Sequence, residues 1–218
     1  MTNISDLLSA WPFLMEGLKV NLILTAISVL GAIILGSVLA VMRVSSSRVL
    51  SYCAGTYVNA FRAIPLILVL FWFYFLVPNL LGRPVGAFYS ALTAFVLFEA
   101  AYFCEIVRSG IRAVARGQRS AALALGLTSA QAMRFVILPQ ALRNMLPVLL
   151  TQSIILFQDT SLVYVIGLKD FLTSADIIAQ RDGNVVAIYC SVALFYLVVC
   201  GASSFAINVV RTRASFAR

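Results

Sequence analysis

Long apolar runs, separated by short polar segments, constrain this chain more than any other feature of its sequence. A helix needs about 20 mostly apolar residues to cross the roughly 30 Å hydrocarbon core of a bilayer, because its amides must bond internally there. Five segments meet this requirement, at residues 17–42, 57–80, 86–107, 143–168 and 185–210. A hydrophobic content of 62% and a mean hydropathy of +1.00 also exclude an ordinary soluble domain. The sequence predicts a single-domain, all-helical integral membrane protein over residues 1–218.

Basic residues predict the orientation of these helices, because loops rich in Lys and Arg remain in the cytoplasm. With the N-terminus outside, eleven basic residues fall on the inner side: Arg43, Arg48, Arg108, Arg112, Arg116, Arg119, Arg134, Arg143, Arg211, Arg213 and Arg218. Four fall on the outer side: Lys19, Arg83, Lys169 and Arg181. We therefore expect an N-out, C-in topology with a cytoplasmic loop over residues 108–142. This bias and attraction to anionic membrane lipid explain the net charge of +8 without nucleic-acid binding.

Several kinds of enzyme are excluded by residues that the chain lacks. It has no histidine, which removes His-based zinc sites and nucleophile systems that depend on histidine. Its four cysteines occur singly, with no CxxC pair, and are typical of small apolar residues in spans. Both lysines follow leucine, so the chain has no GxxxxGK[ST] phosphate loop. We expect no catalytic residue, no metal site and no ATPase activity in this chain.

The loop at residues 108–142 has the pattern of a helix, a glycine turn and a second helix. An Ala-rich helix ends at Leu123–Leu125, and Gly126 suits the left-handed residue that closes it. Thr128 and Gln131 form a capping-box pattern for a second helix, which Pro139 is expected to stop. A helix as short as the first is unstable alone in water. It either binds in a groove of a partner protein or lies on anionic lipid as a basic amphipathic connector.

Sequence blocks along the chain resemble those of a known transporter family. They read FRAIPLILVLFWFY from Phe61, FEAAYFCEIVRSGIRAV from Phe98, RGQRSAALALG from Arg116, ILPQALRNMLP from Ile137 and FQDTSLVYVIG from Phe157. They resemble the membrane subunits of polar amino-acid ABC importers, and are most similar to permeases of glutamate/aspartate systems. The loop also has the residue spacing by which such permeases bind their ATPase. It departs from that family at Ser120, where a Glu is usual, and at Gln158, where a Lys is common.

The resemblance implies a type I ABC importer permease fold with five membrane helices in the bacterial cytoplasmic (inner) membrane. It also implies a second permease, identical or a sister, two ATPase subunits and an extracytoplasmic amino-acid-binding protein. ATP and Mg would be bound by the ATPase, and this chain would bind no cofactor. Transport would proceed by alternating access, with movement transmitted by loop residues of this chain. These coupling residues are Arg116, Gly117, Gln118, Arg119, Ser120, Ala121, Ala122, Leu125 and Gly126. Ser120 could replace the missing acid by serving as a helix N-cap.

Polar residues inside the predicted spans are candidates for the substrate pathway, because each costs several kcal/mol in a membrane unless it has a partner. These residues are Arg62, Glu99, Gln152, Gln158, Asp159 and Thr160. At about 1.5 Å per residue, Glu99 lies roughly 13 Å from the inner side, and Asp159 roughly 24 Å above Arg143. Structural interpretations compete with this one. Arg62 could extend to the membrane surface, and Asp159 could cap a helix that begins at Ser161 or Leu162.

Other interpretations apply to the acidic residues in and near the predicted spans. Glu99 is awkward for an acidic substrate unless it is neutral, pairs with Arg62 or faces the partner subunit. Glu105 and Arg108 are three residues apart and are expected to form an ion pair at the membrane boundary.

Three other functions compete with glutamate/aspartate import. The chain could serve another polar amino acid, of the glutamine, arginine or histidine class. It could also be an ATP-independent secondary transporter, although such a protein has no reason to keep the loop spacing. A membrane enzyme is a weaker alternative, because the usual histidine-dependent chemistry is impossible here.

Overall fold

The structure is a computed structural model, and it describes residues 4–45 and 47–215. All regular elements in these ranges are helical: α1 (Ile4–Val44), α2 (Arg48–Ala63), α3 (Leu66–Leu81), α4 (Ala87–Arg112), α5 (Arg116–Ala124), α6 (Ser129–Ile166), α7 (Phe171–Asp182) and α8 (Val185–Ser215). The all-helical prediction is therefore confirmed. Arg218, which contributed to the predicted orientation, lies outside the described residues.

The predicted span at residues 57–80 is wrong as a single helix, because α2 and α3 meet at an angle of 103°. Pro65 accounts for the break: a proline disfavours the helical region for the residue before it, and Ile64 is extended with φ −111° and ψ 138°. In the described residues, α1, α4, α6 and α8 are each long and apolar enough to cross a membrane. The bent pair provides the fifth span only if both halves are counted together.

Prolines also lie inside helices in the described residues, at Pro12, Pro78, Pro139 and Pro147, so the prediction that Pro139 stops a helix is wrong. A π turn at Met133–Ile137 precedes Pro139, and α6 continues to Asp159 as an α-helix. In α3, a π turn at Trp72–Leu76 precedes Pro78 in the same way. A proline ring clashes with the carbonyl four residues earlier in a regular α-helix, and the wider π turn relieves that clash.

Helix α4 lies at the centre of the bundle, where it packs against α1, α2, α3 and α6. Its side chains Phe95 and Phe103 are fully buried. Helix α1 comes close to α4 at two glycines. A Cβ atom added at Gly31 would lie 2.9 Å from Val96 Cγ2, and one added at Gly36 would lie 2.8 Å from Phe103 Cβ. Small residues allow close packing of membrane helices, and these glycines serve that role within one chain.

The surface of the bundle is strongly apolar. Exposed side chains include Ile34 and Val41 on α1, and Leu197 and Phe205 on α8. A soluble monomer rarely exposes apolar patches of this extent, whereas lipid or a partner subunit covers them in a membrane. The fold therefore fits the predicted membrane location.

The contact between α1 and α4 generates a first prediction. Gly36→Ala places a methyl group against Phe103, so we expect it to reduce the free energy of unfolding by about 1–3 kcal/mol through overpacking. Thermal unfolding of the detergent-solubilised protein measures this effect. Gly201→Ala is the matched control, because Gly201 is also within a helix and no described atom lies within 4 Å of its added Cβ. Equal stability of the two variants would contradict the close packing.

Candidate coupling helix and translocation site

The short helix α5 ends in the glycine turn that the sequence predicts. The N–H of Gly126 donates to the carbonyl of Leu123 at 3.0 Å, and that of Leu127 donates to the carbonyl of Ala122 at 3.1 Å. The second bond spans five residues and requires a left-handed residue before Leu127. Gly126 supplies this conformation with φ +86°. The predicted glycine turn is confirmed.

The capping box at the start of α6 is also confirmed. The N–H of Gln131 donates to Thr128 Oγ1 at 3.3 Å, and the N–H of Thr128 donates to Gln131 Oε1 at 2.9 Å. These two reciprocal bonds fix the direction in which α6 leaves the glycine turn. The chain therefore passes from α5 to α6 through a defined corner.

Most of α5 is open to solvent in the isolated chain. Arg116 to Ala121 are exposed, and only the Ala122 side of the helix is buried. Gln140 Nε2 donates to Gln118 Oε1 at 3.3 Å, which ties the helix to α6. Next to the glycine turn, Leu125 is 82% exposed. A short helix with an exposed apolar end could bind in a groove on the surface of a partner protein.

Ser120 does not cap this helix, so that prediction is wrong. It lies inside α5, where its hydroxyl donates to the carbonyl of Arg116 one turn earlier at 3.4 Å. The residue at the N-cap position is Ala115, whose methyl side chain cannot accept a hydrogen bond. The N-terminal amides of α5 therefore receive no help from Ser120.

An ion-pair cluster holds α1 and α4 together near the C-terminal ends of both helices. The predicted pair between Glu105 and Arg108 is confirmed. Arg43 at the end of α1 joins it, with Nη1 at 2.7 Å from Glu105 Oε1. Sequence reasoning missed Arg43 because it lies 62 residues from Glu105 and only tertiary packing brings them together.

Glu99 and Gln152, two of the predicted pathway residues, are in contact. Glu99 is completely buried on α4, and Gln152 Nε2 on α6 donates to its Oε2 at 3.0 Å. The other carboxylate oxygen has no hydrogen-bond partner among the described residues. Arg62 does not pair with Glu99. It is exposed, and its guanidinium carbon lies 5.4 Å from the centre of the Tyr102 ring.

Asp159 does not cap a helix, so that interpretation is also wrong. Its backbone is helical, with φ −65° and ψ −24°, whereas a capping residue needs an extended backbone. The α-helical part of α6 ends at Asp159 and continues without a break into a 3₁₀ turn at Thr160–Ile166. The Asp159 side chain is half-buried.

The remaining two pathway candidates point in different directions. Gln158 is exposed and lines a shallow groove with residues of α8, including Tyr196, Gly201 and Ser204. Thr160 is fully buried and accepts a hydrogen bond from Asn21 Nδ2 at 3.0 Å. The structure therefore joins Glu99 to Gln152 by a hydrogen bond, whereas Asp159 lies between the exposed Gln158 and the buried Thr160.

Sequence reasoning missed two buried polar residues, Asn21 and Asp170. Asn21 is the polar residue in the middle of an apolar run, and Asp170 accepts hydrogen bonds from the amides of Leu172 and Thr173 as the N-cap of α7. Both signals are visible in the sequence: an isolated amide at membrane depth, and an acid directly before a helix.

Comparisons with known proteins identify the family of this chain. Residues 32–215 match the family described as "Binding-protein-dependent transport system inner membrane component". The chain belongs to this family. It is 45% identical to the glutamate/aspartate import permease protein GltK of Escherichia coli O6:H1, with 97% of each chain covered. It is 34% identical to the probable glutamine ABC transporter permease protein GlnM of Bacillus subtilis, again over 97% of each chain.

A solved structure supports the same family. The chain superposes on the structure of an amino acid ABC transporter with histidines at a TM-score of 0.92 and 32% identity, covering 98% of this chain and 99% of that one. The inner-membrane location predicted from the sequence is confirmed by this family and by the apolar helices. The fold is that of an ABC importer permease.

The glycine turn after α5 generates a second prediction. Gly126→Ala forces an L-residue to φ +86°, which costs about 1–2 kcal/mol, so we expect faster hydrogen exchange of the α5 amides. Gly117→Ala is the matched control, because Gly117 is helical and open, and alanine there favours the helix by up to about 1 kcal/mol. Hydrogen-exchange mass spectrometry of the permease measures both. The prediction fails if both variants change exchange in the same direction.

Proposed function

We propose that this chain is the permease subunit of an ATP-driven importer of glutamate and aspartate, and that α5 is its coupling helix. The observation that carries the proposal is the family likeness over nearly the whole chain combined with the exposed helix α5. An ATPase subunit would supply the nucleotide chemistry, for which this sequence has no phosphate loop. The sequence and fold support an N-out, C-in orientation, because the basic loop around α5 then faces the ATPase in the cytoplasm.

The geometry of α5 supports a docking role. Arg116 and Arg119 provide positive charge, and Leu125 provides an apolar contact at the end of the helix. Each of two permeases, identical or sister subunits, would place one such helix in a groove on one of two ATPase subunits. Because α6 follows α5 through the corner at Gly126 and Thr128, displacement of α5 by the ATPase would move the membrane segment that carries Gln152 and Asp159.

The pathway residues suit a zwitterionic substrate. Arg62 is exposed in the last turn of α2, next to the break at Pro65, and could attract a carboxylate. Glu99 is held by Gln152, which leaves the half-buried Asp159, about two turns further along α6, to meet the substrate ammonium group. An acid in the pathway of an acidic amino acid is therefore not a contradiction, since every amino acid carries an amino group. A binding protein outside the membrane would deliver the substrate.

A second candidate is import of another polar amino acid. GlnM, a probable glutamine permease, is 34% identical to this chain over nearly its whole length. Pathway groups that hold an amino group and a carboxylate would not themselves select the side chain of the substrate. Selection by the binding protein would then decide the substrate.

Reconstitution tests this proposal. The permease is placed in proteoliposomes with its sister permease, if there is one, its ATPase and its binding protein, and uptake of radiolabelled glutamate, aspartate, glutamine and arginine is measured with and without ATP. We expect ATP-dependent uptake of glutamate and aspartate at rates at least about tenfold above the other two, which corresponds to about 1.4 kcal/mol. Preferential uptake of glutamine or arginine would reject the substrate assignment, and uptake without ATP would reject the mechanism.

A further inference from the structure

A cluster of three fully buried polar residues lies where α1, α6 and α7 meet. We call Asn21, Thr160 and Asp170 the Asn21 cluster. Asn21 Nδ2 donates to Thr160 Oγ1 at 3.0 Å and to Asp170 Oδ2 at 3.3 Å. Asn21 Oδ1 accepts from the N–H of Phe171 at 2.8 Å. One amide side chain therefore joins three helical elements, and its loss would leave several buried groups without a partner.

The cluster is held in place by shape as well as by hydrogen bonds. Gly17 lies one turn before Asn21 on α1, and a Cβ atom added there would collide with the Asp170 carbonyl and come within 2.5 Å of Ser174 Oγ. Asp170 is fixed in turn as the N-cap of α7, where Oδ1 accepts from the Thr173 N–H at 2.8 Å. The start of α7 thus has a defined position against α1.

Thr160 connects the cluster to the translocation site. It directly follows Asp159, and its hydroxyl donates to the carbonyl of Phe157 at 2.7 Å while it accepts from Asn21. The hydroxyl therefore has both its proton and a lone pair engaged, which fixes the rotation of this turn of α6. Asp159 has no side-chain hydrogen bond among the described contacts, so its direction depends on the backbone that Thr160 anchors.

We propose that Asn21 is a positioning residue of the substrate pathway, which acts through Thr160 to direct the carboxylate of Asp159. This inference rests on the proposed function, because it takes Asp159 as a group that meets the substrate. Asn21 itself is buried and does not line the pathway. A displacement of the Asp159 carboxylate by about 1 Å is enough to impair a site that depends on orientation.

The test measures how many glutamate molecules are transported for each ATP hydrolysed. The complete transporter is reconstituted in proteoliposomes with a saturating concentration of glutamate-loaded binding protein. Loss of folded protein reduces transport and ATP hydrolysis together and leaves this ratio unchanged, whereas a misplaced pathway group reduces the ratio. We expect Asn21→Ala and Thr160→Val to reduce the ratio about tenfold. Thr160→Ser keeps the hydroxyl and is expected to retain the wild-type ratio.

Two further variants make the result decisive. Ser28→Ala is the matched control, because Ser28 is also buried on α1 and its hydroxyl has no partner among the described residues. It should retain the wild-type ratio. Asp159→Asn reports on the pathway itself. A reduced ratio in Asp159→Asn with wild-type ratios in Asn21→Ala and Thr160→Val would overturn the positioning role and leave the proposed function standing.

The remaining outcomes also distinguish the pathway role of Asp159 from the positioning role of Asn21. A wild-type ratio in Asp159→Asn would reject the pathway role of Asp159 and this inference with it. If Asn21→Ala does not assemble, Thr160→Val decides the question alone, because valine has nearly the shape of threonine and removes only the hydroxyl.

Discussion

The close contact between α1 and α4 forms the centre of this permease, against which the other helices pack. Gly31 and Gly36 let the two helix backbones approach, and α4 is buried on most of its surface as a result. In a bilayer there is no water to drive this association, so it depends on packing and on polar contacts between the helices. The ion pair between Arg43 and Glu105 joins the same two helices at one end.

Helix α6 connects the proposed coupling helix α5 to the proposed pathway residues. It begins at the capping box of Thr128, directly after the glycine turn of α5, and carries Gln152 and Asp159 before it becomes a 3₁₀ turn. A rigid helix transmits displacement along its axis, and the π turn at Met133–Ile137 is the place where its regular hydrogen bonding changes. Because α6 directly follows α5 in the chain, the proposed movement of α5 by an ATPase would displace the residues of α6 that would hold the substrate.

Local sequence signals predicted the parts of the fold that depend on neighbouring residues. The apolar runs identified α1, α4, α6 and α8, and the pattern from Leu123 to Gln131 identified the glycine turn and the capping box. The break at Pro65 was missed because the count of apolar residues across 57–80 carries no information about backbone direction, although the proline itself was visible.

Features that depend on distant residues could not be predicted. Glu99 meets Gln152, which is 53 residues away, and Thr160 meets Asn21, which is 139 residues away. The expectation that Asp159 caps a helix failed for this reason. The segment Gln158–Ser161 looks like an interruption in the sequence, but the chain continues there as a 3₁₀ turn in which Thr160 accepts a tertiary hydrogen bond from Asn21. Of the six pathway candidates, Glu99 and Gln152 are joined by a hydrogen bond, and the role of all six in transport stays a prediction.

Site-specific photocrosslinking of α5 tests most directly the claim that this helix binds an ATPase. A benzophenone amino acid is introduced at Ala121, which is exposed on α5, and at Val186, which is exposed at the start of α8. Membranes with active transport are irradiated, and cross-linked products are identified by mass spectrometry. We expect the Ala121 variant to cross-link to the ATPase subunit and the Val186 variant not to do so. An actively transporting complex in which Ala121 gives no cross-link to the ATPase, or gives one only to lipid, would contradict the account.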